Sequence, residues 1–196
     1  MDIRSIPAHK TNYADPRTSR IDRIVIHYTG DSGATAENEG RYFAGANRNA
    51  SAHYFVDAKE IVQSVPDDCR AFHAGNKAMN DRSIGVEMCC FQDARGLWYI
   101  PCATLTKTRE LVGYLMAKYK IPKSCILRHY DVTGKRCPEP FVREPQQWAD
   151  FLNGIEPSNR NFVQIACGYD NRTMRYLDGH PYKDALYQKM VDAIMR

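Results

Sequence analysis

The sequence predicts an α/β fold, a mixed central β-sheet flanked by helices, with a short C-terminal extension. Three observations predict it. Segments with strand and helix periodicity alternate as strand, helix, strand pair, strand, helix, strand, helix. One of the strands, IDRIVIHY at residues 21–28, is apolar on both faces, as a strand covered by layers on both sides must be. The pair SAHYFVD and EIVQSVP is separated by only Ala58 and Lys59, so it reads as a hairpin and gives the sheet an antiparallel part.

Taken in order, residues 1–20 read as an irregular arm with Pro7 and Pro16. After the first strand, which delivers His27 near its end, TGDSG is a loop and Thr35 an N-cap for a helix that Gly45 ends. The hairpin follows, and then a polar loop from Asp67 to Arg82. In SIGVEMC, Ile84, Val86 and Met88 share one face of a strand, while Ser83, Gly85, Glu87 and Cys89 share the other. Gly85 is expected to leave room beside Glu87 for a closely approaching ligand. The strongest helical pattern covers residues 104–120, with Leu111, Val112, Leu115, Met116 and Tyr119 on one side and Pro122 beyond its end. A strand over residues 124–130 is expected to put His129 at its exit, and Gly134 and Pro138 then let the loop fold Cys137 back towards it. PQQWADFLNGI closes the domain as a helix. The stretch 153–161 reads as a linker, and the tail as a short strand over 161–169, a turn and a helix over 181–196.

At 196 residues the chain has room for one domain with a sizeable core and a small appendage. Its net charge of +4 comes without a basic run or an aromatic-basic platform, which argues against nucleic acid as a partner. No stretch is long and apolar enough to insert in a membrane. The first residues lack the apolar core of a secretory signal, so cytosolic synthesis is expected. Seven cysteines without CxxC pairs are expected as free thiols, with one a candidate metal ligand. Nothing in the pattern points to an oligomeric state.

His129 and Cys137 on one corner are either two ligands of a zinc ion or a thiol and its base. His27, at the end of a separate strand, makes a third member, and a His, His, Cys set with an open fourth position fits a catalytic zinc. His53 is expected to be buried and structural. His9 and His180 carry no argument.

The segments IVIHYTG, SAHYFVD, EIVQSVP, AFHAGN, SIGVEM, LRHYDV and GKRCPEP together resemble the zinc-dependent N-acetylmuramoyl-L-alanine amidases of type 2, whose fold is shared with peptidoglycan recognition proteins and phage endolysins. The resemblance runs from about Asn12 to Gly154. It implies a catalytic domain over 1–156 and an extension of open role over 157–196: wall binding, dimerisation or a stabilising cap. It implies one Zn2+ per chain on His27, His129 and Cys137, Glu87 and Lys135 as catalytic residues, and Thr29, His73 and Asn76 as a substrate-lining set. A tyrosine that some members carry before the histidine of SAHYFVD is Ala52 here, which leaves Glu87 as the helper. The implied reaction is hydrolysis of the bond between N-acetylmuramic acid and L-alanine in peptidoglycan or soluble muropeptides. A lytic enzyme acting on the wall after release, a cytosolic recycling amidase and a binding-only module all remain open.

Overall fold

In the computed structural model, which describes residues 1–195, the chain begins with a strand where an irregular arm is expected: β1 (Ile3–Ser5) adds to the sheet edge parallel to β5 (Ile61–Gln63). β2 (Tyr13–Ala14) pairs with β6 (Arg70–Ala71) in a small separate ribbon. The arm is therefore built into the fold by backbone pairing, which side-chain periodicity over two or three residues cannot reveal.

β3 (Arg23–Ser32) and β7 (Ser83–Gln92) are the long strands and run parallel, with His27 directly opposite Glu87. β3 outlasts its expected end at Tyr28, continuing through an irregularity to Ser32. The main sheet runs β1, β5, β4 (Tyr54–Val56), β7, β3, β9 (Ile126–Arg128), with β8 (Trp98–Tyr99) paired to the end of β7. The β4/β5 hairpin is antiparallel as expected.

Period-2 alternation divides the sheet into two faces. Ile24, Ile26, Ile84, Val86, Met88, Tyr54 and Val56 point to one side and form a single core with Leu111, Val112 and Leu115 of α3 (Cys102–Tyr119). Each of these fully buried aliphatic side chains contributes roughly 1.5–3 kcal/mol. The other side is covered by α1 (Ala36–Ala44), where Ala36 packs in a second cluster with Phe55, Val62 and Cys89. Thr35 caps α1 as expected: its side chain accepts the Asn38 N–H and the Asn38 side chain answers at the cap backbone. His27, Glu87 and Gly85 face this second side.

Several segments differ from expectation. The supposed polar loop 67–82 contains β6 and the short helix α2 (Lys77–Arg82), capped by Asn76. The strand expected over 124–130 is only three residues long, and His129 opens a five-residue helix, α4 (His129–Thr133). Its cause is local: the Asp131 carboxylate accepts the Arg128 backbone N–H at 2.8 Å and ion-pairs with the Arg128 guanidinium, which turns the chain at the strand exit. After α5 (Glu139–Arg143) and α6 (Pro145–Asn153), the regular elements described in the tail are all helices. The stretch expected as a strand is α7 (Asn159–Cys167), followed by α8 (Asn171–Asp178) and α9 (Lys183–Ile194). Phe162, Val163, Met174, Tyr187 and Val191 of the tail are buried in the same core as the sheet and α3. The apolar residues at 162, 163 and 165 are spaced for one helical face as well as for a buried strand, and docking against α3 selects the helix.

Candidate active site

Three segments distant in sequence converge at the ends of β3 and β9. His27 leaves β3 beside Glu87 of β7, because directly paired residues in a parallel ladder project from the same face. His129 is the first residue of α4, and its ring lies 4.7 Å from that of His27, centroid to centroid. Gly134 takes a positive φ of 77° at the end of α4, and the Tyr130 N–H donates to the Cys137 carbonyl at 2.8 Å. That bond folds the loop back on itself and brings the Cys137 thiol to 3.8 Å from His27 Nδ1. One ligand-type atom each from His27, His129 and Cys137 all lie within 4.8 Å of one another.

The donor set suits a metal ion. All three residues are buried, and His129 Nδ1 is buried without a hydrogen-bond partner, a cost a native site does not bear unless something else takes that lone pair. Burial lowers the pKa of His27 well below the usual imidazole value, with His129 adding to the effect, and burial followed by Lys135 lowers that of His129. Both shifts favour the neutral ring, the form that binds a metal. Burial pushes the Cys137 thiol up to about 12, so a thiolate at this position calls for a cation beside it. The same value weighs against Cys137 as an independent nucleophile. The imidazole nitrogen in contact with the thiol, at 3.8 Å, belongs to His27 and not to His129.

Glu87 places Oε1 4.0 Å from His27 Nδ1, and its Oε2 is a second buried polar atom without a partner. Burial, then the charge of Glu39, pushes the Glu87 carboxyl up to about 8, and Lys135 acts in the opposite direction. Lys135 itself is exposed on the loop before Cys137, and its charge reaches His27, His129, Glu87 and Cys137. Thr29 lines a cleft of about 280 Å³ with Asp31, Asn38, Glu39, Tyr42 and Phe43. Asn76 is exposed, with its carbonyl oxygen spent on capping α2 at the Met79 N–H.

Two expectations are corrected. His73 does not line an open groove: it is only 8% exposed, and its Nδ1 lies 3.0 Å from His27 Nε2. The space above Gly85 is not left for a ligand either, because the His73 ring fills it; a Cβ at Gly85 would stand 2.5 Å from His73 Cγ. His53, buried as expected, accepts the Gly85 N–H on Nδ1 at 2.9 Å and lies against His73 rather than against a member of the triad. Tyr54 points to the opposite face and donates its hydroxyl to Asp67, as alternation requires. Ser83 and Arg17 also contribute to the surroundings of the site. Ser83 contacts His73, and its place on the same strand face as Glu87 is the signal that could have found it. Arg17 reaches the backbone carbonyls of Asp67, Asp81 and Cys69 from the arm, which no local pattern encodes.

The family model of the N-acetylmuramoyl-L-alanine amidases matches residues 17–140, well over half the chain and all of the convergent site. The chain belongs to the N-acetylmuramoyl-L-alanine amidase family. Among amidases of this family, CwlL of Bacillus licheniformis is 38% identical over 151 residues, covering 69% of this chain and 41% of the relative. BlyA of Bacillus subtilis is 33% identical over 170 residues, covering 77% and 45%. The chain thus spans less than half the length of these curated amidases. Two solved structures give the same fold. PlyL aligns with a TM-score of 0.69 at 27% identity, covering 80% of this chain and 98% of that one. A mutant endolysin from Bacillus subtilis aligns at 0.68 and 28%, covering 79% and 99%.

Proposed function

We propose that this chain is a zinc-dependent N-acetylmuramoyl-L-alanine amidase that cuts the amide between the lactyl group of N-acetylmuramic acid and L-alanine in peptidoglycan, in the role of a lytic enzyme. The observation that carries the reading is the convergence of His27, His129 and Cys137 beside Glu87, within the segment that matches the family. His27 and His129, with neutral rings, and Cys137, as thiolate, would hold one zinc ion and leave a fourth position free. Zinc there supplies Lewis acidity and lowers the pKa of a bound water to ~7.

Glu87 is the base that takes the proton of the attacking water and then returns it to the departing amine of alanine. It must be ionised to begin; Lys135 favours that form, and a zinc ion at the triad would favour it further. Lys135 also stabilises the negative charge that develops on the scissile carbonyl oxygen. The burial of His27, His129 and Cys137 keeps bulk water from the triad, so charge held there acts at reduced screening. The stem peptide would lie along the cleft past Thr29, with Asn76 at the rim.

The same reading makes residues 1–156 the catalytic unit and residues 157–196 a stabilising cap. It is supported by the five tail side chains in the common core.

The test is Glu87→Gln assayed on intact sacculi and on soluble anhydro-muropeptides. The expected result is release of stem peptides from sacculi by the wild type and a loss of ~10²–10⁴-fold in the variant, with zinc content unchanged. Full activity in the variant would remove Glu87 as base. Activity confined to soluble fragments would replace the lytic role with a recycling one.

A further inference from the structure

Behind the triad lies a chain of buried polar groups that the proposed chemistry does not use. His27 Nε2 lies 3.0 Å from His73 Nδ1, His73 Nε2 lies 3.1 Å from Ser83 Oγ, and Ser83 Oγ lies 2.5 Å from the Met79 carbonyl oxygen. His27, His73 and Ser83 are all buried.

Only one arrangement of protons satisfies this chain, and it is set from its far end. The Met79 carbonyl can only accept, so the single Ser83 hydroxyl proton is committed to it. Ser83 Oγ must then accept from His73, which puts a proton on His73 Nε2. A neutral His73 therefore has a bare Nδ1, which accepts from His27 Nε2–H. That leaves His27 Nδ1 without a proton, and Nδ1 is the atom aimed at Cys137 and Glu87.

We propose that His73 and Ser83 are positioning residues that fix His27 in the tautomer whose Nδ1 lone pair faces the metal position. The inference rests on the metal reading of the triad. Ligand histidines commonly use a carboxylate, carbonyl or water for this task. Here the task passes through a second imidazole to a backbone carbonyl of α2. A neutral orienting group leaves Glu87, among the described residues, as the carboxylate that approaches His27, where a carboxylate behind the ring would have added a second negative charge.

A separate observation shows that the fold is built around this contact. The His73 ring packs over Gly85, in space that any side chain at position 85 would occupy. The Asn80 side chain also accepts the backbone N–H groups of His73 and Ala74, at 3.2 and 2.7 Å, and so holds the segment that carries the ring.

Two measurements test the proposal. In wild-type protein freed of metal with a chelator, nitrogen-15 NMR of the imidazoles is expected to show His27 protonated at Nε2 and bare at Nδ1. A proton on Nδ1 would overturn the proposal whether or not the protein is an amidase. In the second, zinc affinity is measured by competition with a chromophoric chelator. His73→Ala is expected to weaken binding by ~10–100-fold. His73→Asn, whose Oδ1 can take the place of the Nδ1 acceptor, is expected to recover most of the loss. Equal affinity in wild type and His73→Ala, with both proteins folded by thermal unfolding, would also overturn it. Failure of wild-type protein to bind zinc would instead defeat the metal reading, and the NMR result would still report on the proton chain. Should His73→Ala not fold, that measurement on unaltered protein remains decisive.

Discussion

At the scale of residues, the site combines groups that are costly to bury, some satisfied by a neighbour and two, His129 Nδ1 and Glu87 Oε2, without a partner. His53 is the clearest case outside the triad. Its ring is fully buried, accepts the Gly85 N–H, and has its pKa lowered to about 4 by burial. An unfolded chain would protonate the same ring near 6.5. The folded pKa lies below the unfolded one, so the contribution to stability is complete above pH 6.5 and is lost as pH falls towards 4. The window of 2.5 pH units corresponds to about 3 kcal/mol at most. Urea unfolding between pH 7 and 4 is expected to show this loss, and His53→Gln is expected to flatten the dependence by up to one proton. An unchanged slope in the variant would show that His53 does not carry it. The legibility of the site also varied residue by residue. That His27, Glu87, His129 and Cys137 lie near one another is legible in part, because strand alternation and turn chemistry act over a few neighbours. The burial of His73 is not, because it depends on a glycine twelve positions away on another element.

At the scale of elements, the sequence revealed strands and helices wherever periodicity ran long enough, as in β3, β7 and α3. It failed where backbone pairing or docking decided the outcome, as in β1, α2 and α7. The contact between α3 and the tail shows why. Gly113 sits in the middle of α3, where glycine costs about 1 kcal/mol relative to alanine. The chain nonetheless crosses there: a Cβ at position 113 would lie 2.2 Å from the Glu156 carbonyl oxygen, and the Ser158 N–H donates to the Gly113 carbonyl at 3.0 Å. A backbone atom cannot swing aside as a side chain can, so the clash outweighs the gain in helix propensity. Gly113→Ala is expected to destabilise the protein by about 1–3 kcal/mol in thermal or urea unfolding. A rise in Tm would mean that the tail does not press on α3 as described.

At the scale of the whole molecule, the sheet holds two halves of one design. One face is the apolar core shared with α3 and the tail, and the other carries the triad, Glu87 and the His73–Ser83 chain. Five buried tail side chains at ~1.5–3 kcal/mol each amount to a gross contribution of order 10 kcal/mol, before the cost of ordering the tail. Deleting residues 157–196 is therefore expected to lower Tm markedly while leaving co-sedimentation with cell walls unchanged. Loss of wall binding at unchanged Tm would make the tail an anchor instead of a cap. The central claim is that the triad works through a metal ion and not through the thiol. Thorough chelation, followed by assay of stem-peptide release from sacculi and by restoration with zinc, addresses it most directly. The account predicts that activity disappears on chelation and returns at about one zinc per chain. Activity that survives complete metal removal and is abolished by alkylation of Cys137 would contradict it.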